Sequence, residues 1–168
     1  MRTSLSTPRL RLRHFVAGDA PELHGLFSDP LTHTIGGGPF TELARTEQWI
    51  RNRGRAFEEH GLCWYAVRDA ESGVLVGNCG MLTGRTGPAE PEIGYLIGRS
   101  FRGRGFASEA ARAVLHECRA AGFGRVWSSV RPGNAASRRI VEALALRVER
   151  TEHDERGALL FSVIDLPA

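Results

Sequence analysis

Between Ile97 and Ala107 the chain reads Ile-Gly-Arg-Ser-Phe-Arg-Gly-Arg-Gly-Phe-Ala, and here residue types and spacing first point to chemistry. Gly103 and Gly105 carry no Cβ, so the backbone can turn through positive φ and a ligand can come close to it. Behind them, Phe106 to about Ala121 is Ala-rich, with Ala110, Val114, Leu115 and Cys118 at helical spacing. The first amides of such a helix lack intrahelical acceptors and sit at the positive end of its dipole, which suits a phosphate. Arg102 and Arg104 add charge at the mouth. The same residues would also serve an ordinary strand-to-helix turn with two solvated arginines, and the glycines alone do not separate the two readings. Two other phosphate signatures are excluded. The dinucleotide fingerprint needs a glycine where Ala107 or Ser108 stands, and no Gly-Lys-Ser/Thr occurs anywhere.

The elements that must position this loop follow from the hydrophobic pattern. Arg9 to Arg13 alternates with period two, giving a half-buried first strand with Leu10 and Leu12 inward. Asp19, with Glu22 three residues on, forms a capping-box pattern for a helix with Leu23, Leu26 and Phe27 as its stripe, stopped by Asp29-Pro30. Thr41 is the expected N-cap of a second helix running to about His60, with Leu43, Trp49, Ile50 and Phe57 inward. Trp49 and Phe57 read as core rather than as a substrate cage. The loop before it, rich in glycine from Gly36 to Gly38, serves either an acceptor substrate or as a plain connector. Cys63 to Arg68, Val74 to Met81 and Glu92 to Ile97 read as successive antiparallel strands, the last feeding the glycine loop. After the long helix, Arg125 to Val130 is a fifth strand, parallel to the fourth because a helical crossover joins them. A fourth helix from Ala135 to about Leu144 and two strands, Val148 to His153 and Leu159 to Leu166, complete the pattern. The expectation is an α/β fold with one mixed sheet, in a single domain spanning residues 1–168.

Composition narrows the function classes. Apolar residues at 42% and charged residues at 24% are ordinary for a globular domain. The three cysteines, Cys63, Cys79 and Cys118, lie in apolar stretches and read as small buried hydrophobes. The six histidines show no metal-ligand spacing, so no metal is expected. No Cys-His or Ser-His-Asp arrangement with recognisable spacing points to a covalent intermediate. The N-terminus lacks an apolar run of signal-peptide length and no segment could span a membrane, so the expected location is cytoplasmic. A net charge of +3 and a pI near 9.1 come from clustered arginines and suit a polyanionic ligand. A nucleic-acid partner is not expected, because aromatic interleaving and a recognition helix are lacking.

Four strings in order carry a resemblance over nearly the whole chain. Thr7-Pro8-Arg9-Leu10-Arg11-Leu12-Arg13 is followed by Asp19; then come Glu92-Ile93-Gly94-Tyr95-Leu96-Ile97, Gly103-Arg104-Gly105-Phe106-Ala107-Ser108-Glu109-Ala110 and Asn134-Ala135-Ala136-Ser137. Together with Arg102-x-x-Gly105-x-Ala107, they resemble the GCN5-related N-acetyltransferase (GNAT) family, and within it the ribosomal-protein N-acetyltransferases (RimJ/RimL-like). The resemblance implies a mixed, mostly antiparallel sheet of about seven strands with about four helices, its fourth and fifth strands splayed. It implies that the pantetheine arm of acetyl-CoA pairs with backbone groups of Tyr95, Leu96 and Ile97. Arg102, Gly103, Arg104, Gly105, Phe106 and Ala107 would hold the pyrophosphate, and Asn134 would contact CoA or cap its helix. The implied reaction is direct acyl transfer, with acetyl-CoA the expected donor, to a protein N-terminal α-amine or a small-molecule amine. The rival is a non-catalytic acyl-CoA-binding module of the same fold.

Amine attack on a thioester needs a base, an oxyanion donor and an acid for the departing thiolate. Glu92 is the first candidate base, acting through water, with Glu152, His153 and Glu155 as alternatives. A strand-four amide freed by a bulge at Gly94 is the candidate oxyanion donor. Many relatives carry a tyrosine seven residues beyond the asparagine, where this chain has Val141. The ribosomal-type subgroup offers the serine at Ser137 instead, unless its hydroxyl bonds the helix backbone. Glu109 reads as a carboxylate complementing the helix dipole. Ala145-Leu146 stands where relatives have Gly-Phe. A homodimer through the last strands is a further expectation.

Overall fold

The computed structural model describes residues 1–32 and 38–167. The strands are β1 (Ser4–Ser6), β2 (Leu10–His14), β3 (Trp64–Asp69), β4 (Leu75–Leu82), β5 (Glu92–Ile97), β6 (Arg125–Val130), β7 (Arg147–Asp154) and β8 (Gly157–Asp165). The helices are α1 (Ala20–Phe27), α2 (Leu43–His60), α3 (Phe106–Ala120) and α4 (Ala135–Ala143). The strands form one sheet in the order β1-β2-β3-β4-β5-β6-β8-β7, antiparallel throughout except for β5 beside β6. The described residues thus hold eight strands where seven were expected. The extra one, β1, has three residues, too few to show a period.

Alternation places each face of the sheet against its own helices. Leu10, Leu12, Tyr65, Val67 and Val76 pack with Ala110, Ala111 and Val114 of α3 on one side. Trp64, Ala66, Leu75 and Leu96 pack with Leu23 and Phe27 of α1 and Ile50 of α2 on the other. The three cysteines are fully buried on the α3 side, where burial pushes the thiol of Cys63 up to about 11 and that of Cys118 up to about 12.

Both expected helix caps are corrected. The carboxylate of buried Asp19 turns away from α1 and accepts from Arg13 at 2.7 Å and from the Val16 amide at 2.9 Å. Burial opposes its ionisation, yet these donors and Arg68 still hold its pKa below the usual carboxylate value. Helix α2 starts at Leu43 behind Glu42, so Thr41 is not its cap, and Leu43 is 39% exposed rather than inward. Glu109 does lie in the first turn of α3, but it also accepts from Thr7 Oγ1 at 2.6 Å and Arg9 Nε at 2.7 Å. It thereby ties the opening strands to α3.

Ala145 carries φ +60° immediately after α4. Its amide donates to the Glu142 carbonyl at 2.9 Å, and the Leu146 amide donates to the Val141 carbonyl at 3.1 Å. That pair of bonds is the Schellman motif, whose left-handed position favours glycine, so alanine is strained here. The departure from Gly-Phe therefore falls on the helix stop.

Candidate active site

The site is built where β5 and β6 part. Their parallel register consists of Glu92 opposite Trp127, and the Trp127 amide donates to the Pro91 carbonyl at 2.9 Å. On its other edge β5 runs in unbroken register with β4 from Glu92 to Ile97. No bulge frees an amide at Gly94, and that expectation is corrected. The glycine is required because a Cβ there would stand 2.6 Å from the Trp64 indole. The parting of the strands frees backbone groups instead. The Leu96 carbonyl faces β4, since a Cβ on Gly77 would come within 2.1 Å of it. The Pro91 carbonyl faces β6, and the Ile97 carbonyl accepts from Arg102 Nε at 3.2 Å. Strand periodicity then directs the Ile93 carbonyl and both backbone groups of Tyr95 into the gap, beyond the point where pairing with β6 stops. Leu96 therefore lines the gap with its side chain, not with the backbone groups expected of it.

Two cavities flank the gap and share Tyr95, Leu96, Asn134 and Ser137. The smaller, about 370 Å³, runs to the start of α3 and is lined there by Arg102, Gly103, Gly105, Phe106 and Ala107. Gly103 and Gly105 have φ of +77° and +80°. Gly105 is the N-cap residue of α3, with no side chain bonded to the first amides. Those donors are open to an anion. Arg102 lines this cavity, with Nε and one Nη bonding the Ile97 and Thr32 carbonyls, the latter at 2.8 Å. Arg104 is exposed over the Phe101 ring and does not line the cavity. Two cations the pattern did not single out stand here: Arg9, which bonds the Arg104 carbonyl at 2.9 Å and lies over Phe106, and Arg139 of α4.

Asn134 caps α4 by accepting from the Ser137 amide at 3.1 Å. The Ser137 carbonyl accepts from the Tyr95 hydroxyl at 3.2 Å, and burial raises the Tyr95 phenol to about 12. The Ser137 hydroxyl has no hydrogen-bond partner among the described residues, although it lines both cavities. It is not consumed by the helix backbone.

The larger cavity, about 670 Å³, lies on the other side of the gap, between α2, β3, β6 and the segments after β4 and β7. Glu92 lines it at 5% exposure. One carboxylate oxygen accepts from the Arg85 amide and the other from Ser129 Oγ at 2.7 Å. Gly84, at φ +53°, lets the chain wrap this carboxylate, since a Cβ there would meet Glu92 Oε1 at 2.1 Å. Trp49 is edge-on to Trp64 and Phe27 and lines this cavity, so it is wall as well as core; Phe57 packs in the core as expected. Glu152, His153 and Glu155 are exposed and do not line the cavity. Asp154 between them pairs with Arg85 at 2.9 Å and Arg131 at 2.6 Å, and Arg131 holds its pKa well below the usual value. The Gly36–Gly38 loop lies largely outside the described residues. Among the described residues no three His, Cys, Asp or Glu side chains gather as metal ligands, and no helix is long and apolar enough to cross a membrane.

The acetyltransferase (GNAT) domain profile matches residues 9–147. The chain is 32% identical over 153 residues to an uncharacterized protein of Bacillus subtilis, YkkB, covering 89% of this chain and 88% of that protein. Among solved structures, a GNAT-family acetyltransferase from Bacillus anthracis superposes with a TM-score of 0.82 at 23% identity, covering 96% of this chain and 98% of that one. The ribosomal L7/L12 α-N-protein acetyltransferase RimL, solved in complex with coenzyme A, superposes with a TM-score of 0.83 at 16% identity, covering 95% and 96%.

Proposed function

The chain belongs to the GNAT acetyltransferase family, and from that membership we propose that it moves acetyl from acetyl-CoA directly to a primary amine across the β5–β6 gap. The observation that supports this most is the meeting of two cavities at Tyr95 and Ser137. One runs to an uncapped, glycine-opened helix start and the other holds a buried carboxylate.

The residues present fit acetyl-CoA. The α3 amides and Arg139 suit its phosphates, the free edge of β5 suits the amide-bearing pantetheine arm, and the bound molecule supplies the thioester. The chain's own groups do the rest. The Tyr95 amide, which strand periodicity turns into the gap, donates in this reading to the thioester oxygen as it gains charge. Glu92, whose two oxygens accept from the Arg85 amide and Ser129 Oγ, takes the amine proton through Ser129 or a water, because neither of its oxygens is bare. The unpartnered Ser137 hydroxyl donates to the departing sulfur, the role open to it with Val141 in place of a tyrosine.

The acceptor is a small-molecule amine or a protein α-amine, the latter as in the RimJ/RimL-like subgroup that this reading favours. A cytoplasmic location and a homodimer through β7, the exposed edge strand, belong to the same proposal. Acetyl-CoA-dependent release of free thiol over a panel of amines tests it. Turnover by the intact protein is expected, with loss in Glu92→Gln while acetyl-CoA still binds. Binding of acetyl-CoA without turnover of any amine would favour the non-catalytic module instead.

A further inference from the structure

The larger cavity holds a cation that the reaction above does not use. Arg53 projects from α2 with its guanidinium carbon 4.9 Å from the Trp49 ring centre and 4.6 Å from that of Trp64. The two rings stand at 89° to each other, 5.6 Å apart, so the guanidinium is oriented by two cation–π contacts rather than by an acid. Its Nε is buried with no hydrogen-bond partner, and among the described residues no carboxylate pairs with Arg53. Leaving such a donor unmatched is unfavourable. Burial lowers its pKa to about 10, so it remains a cation at neutral pH.

The other charges of the cavity are already matched. Arg85 and Arg131 share Asp154, Arg156 is engaged as well, and the two oxygens of Glu92 are occupied by the Arg85 amide and Ser129. Arg53 is a planar donor fork held in place before any ligand arrives, against indole walls that lower the local dielectric.

We infer that Arg53 receives a carboxylate of the acceptor, so the enzyme acts on primary amines that also bear an acid. This rests on the acyltransferase reading and adds the substrate class. A neutral amine of the same shape leaves the guanidinium without a counter-charge, and a cationic polyamine meets like charge, so both are discriminated against. The acid belongs either to a small amine or to a residue near a peptide N-terminus, and matched pairs separate these sources.

The test compares kcat/KM for 4-aminobutanoate against 4-aminobutanamide, and for an Ala-Asp peptide amide against its Ala-Asn counterpart, in wild type, Arg53→Gln and Arg53→Lys. The inference predicts at least a tenfold preference for the acidic member of one pair. That preference falls below threefold in Arg53→Gln and survives in part in Arg53→Lys, which keeps the charge should the glutamine variant fold poorly. Equal use of both members by the wild type, or a preference that persists in Arg53→Gln, overturns it. A readout independent of turnover is calorimetric binding of the acetylated products in the presence of CoA. A wild type that binds CoA but neither acetylated acid also overturns the inference. A wild type that binds no CoA overturns the acyltransferase reading, and this inference with it.

Discussion

The two sides of the β5–β6 gap are made of different material. The side proposed for the cofactor is mostly main chain: uncapped amides at the start of α3, two glycines at positive φ, and the unpaired edge of β5. The side proposed for the acceptor is mostly side chain, with Trp49 and Arg53 from α2, Trp64 from β3, Arg85 after β4, and Glu92 and Ser129 facing each other across the strands. A backbone site is the same for every member that keeps the fold, whereas a side-chain site can be rewritten residue by residue. The difference explains how a family can share one donor and diverge in acceptor.

Substitutions on either side should separate accordingly. Glu92→Gln keeps the shape and can still accept from the Arg85 amide, with Ser129 turning to accept from the new NH2, but removes the proposed base, so kcat is expected to fall about 100-fold with the Kd for acetyl-CoA unchanged, in steady-state kinetics beside calorimetry. A parallel loss of acetyl-CoA affinity would show that the two sides are not separable. Ser137→Ala touches both cavities. It should lower kcat about tenfold, the effect shrinking for acyl donors with a more acidic leaving thiol, for which protonation matters less.

Acid should loosen the cofactor side of the scaffold. Burial opposes ionisation of Glu109 and Glu117, yet Thr7, Arg9 and Arg2 hold both below the usual carboxylate pKa. A depressed native pKa means that the unfolded chain binds more protons. The stabilisation is therefore present above pH ~4 and lost as pH falls through the lower native values. Urea unfolding between pH 7 and 3 should show flat stability and then a drop, and Glu109→Gln should flatten the drop. The smallest effect is a gain. Ala145→Gly relieves the left-handed alanine after α4 and should stabilise by about 0.5–1 kcal/mol, less than the full strain because glycine also frees the unfolded chain.

The same contrast governs what the sequence discloses. The glycine loop and its helix are contiguous, so Gly103, Gly105 and the period from Phe106 onward mark a candidate anion site before any coordinates, and the ordered family strings around them favour it over a plain turn. Ser129 and Arg53 had no such signal. Ser129 matters because β6 begins parallel to β5 at Glu92, a register that only the fold sets. Arg53 lies four residues after Trp49, a spacing that reads as one helix face with a solvated charge, and its second indole arrives from β3. Arg102 illustrates the converse. Its position in the motif was legible, but its guanidinium is turned onto the Ile97 carbonyl, which the short turn leaves within reach, and onto the Thr32 carbonyl, which the segment after α1 brings from 70 residues away. The missing bulge at Gly94 has a similar origin, since a glycine that makes room for an indole looks the same in sequence as one that bends a strand.

The central claim is that acetyl-CoA binds in the gap with its phosphates on the start of α3. It is tested most directly by calorimetric titration of the intact protein and of Gly105→Asp with acetyl-CoA. The substitution puts a carboxylate beside the open amides and a side chain at φ +80°. The account predicts saturable binding by the intact protein and a loss of at least 100-fold in the variant. Binding that is absent from the folded wild type, or unchanged in the variant, would contradict it.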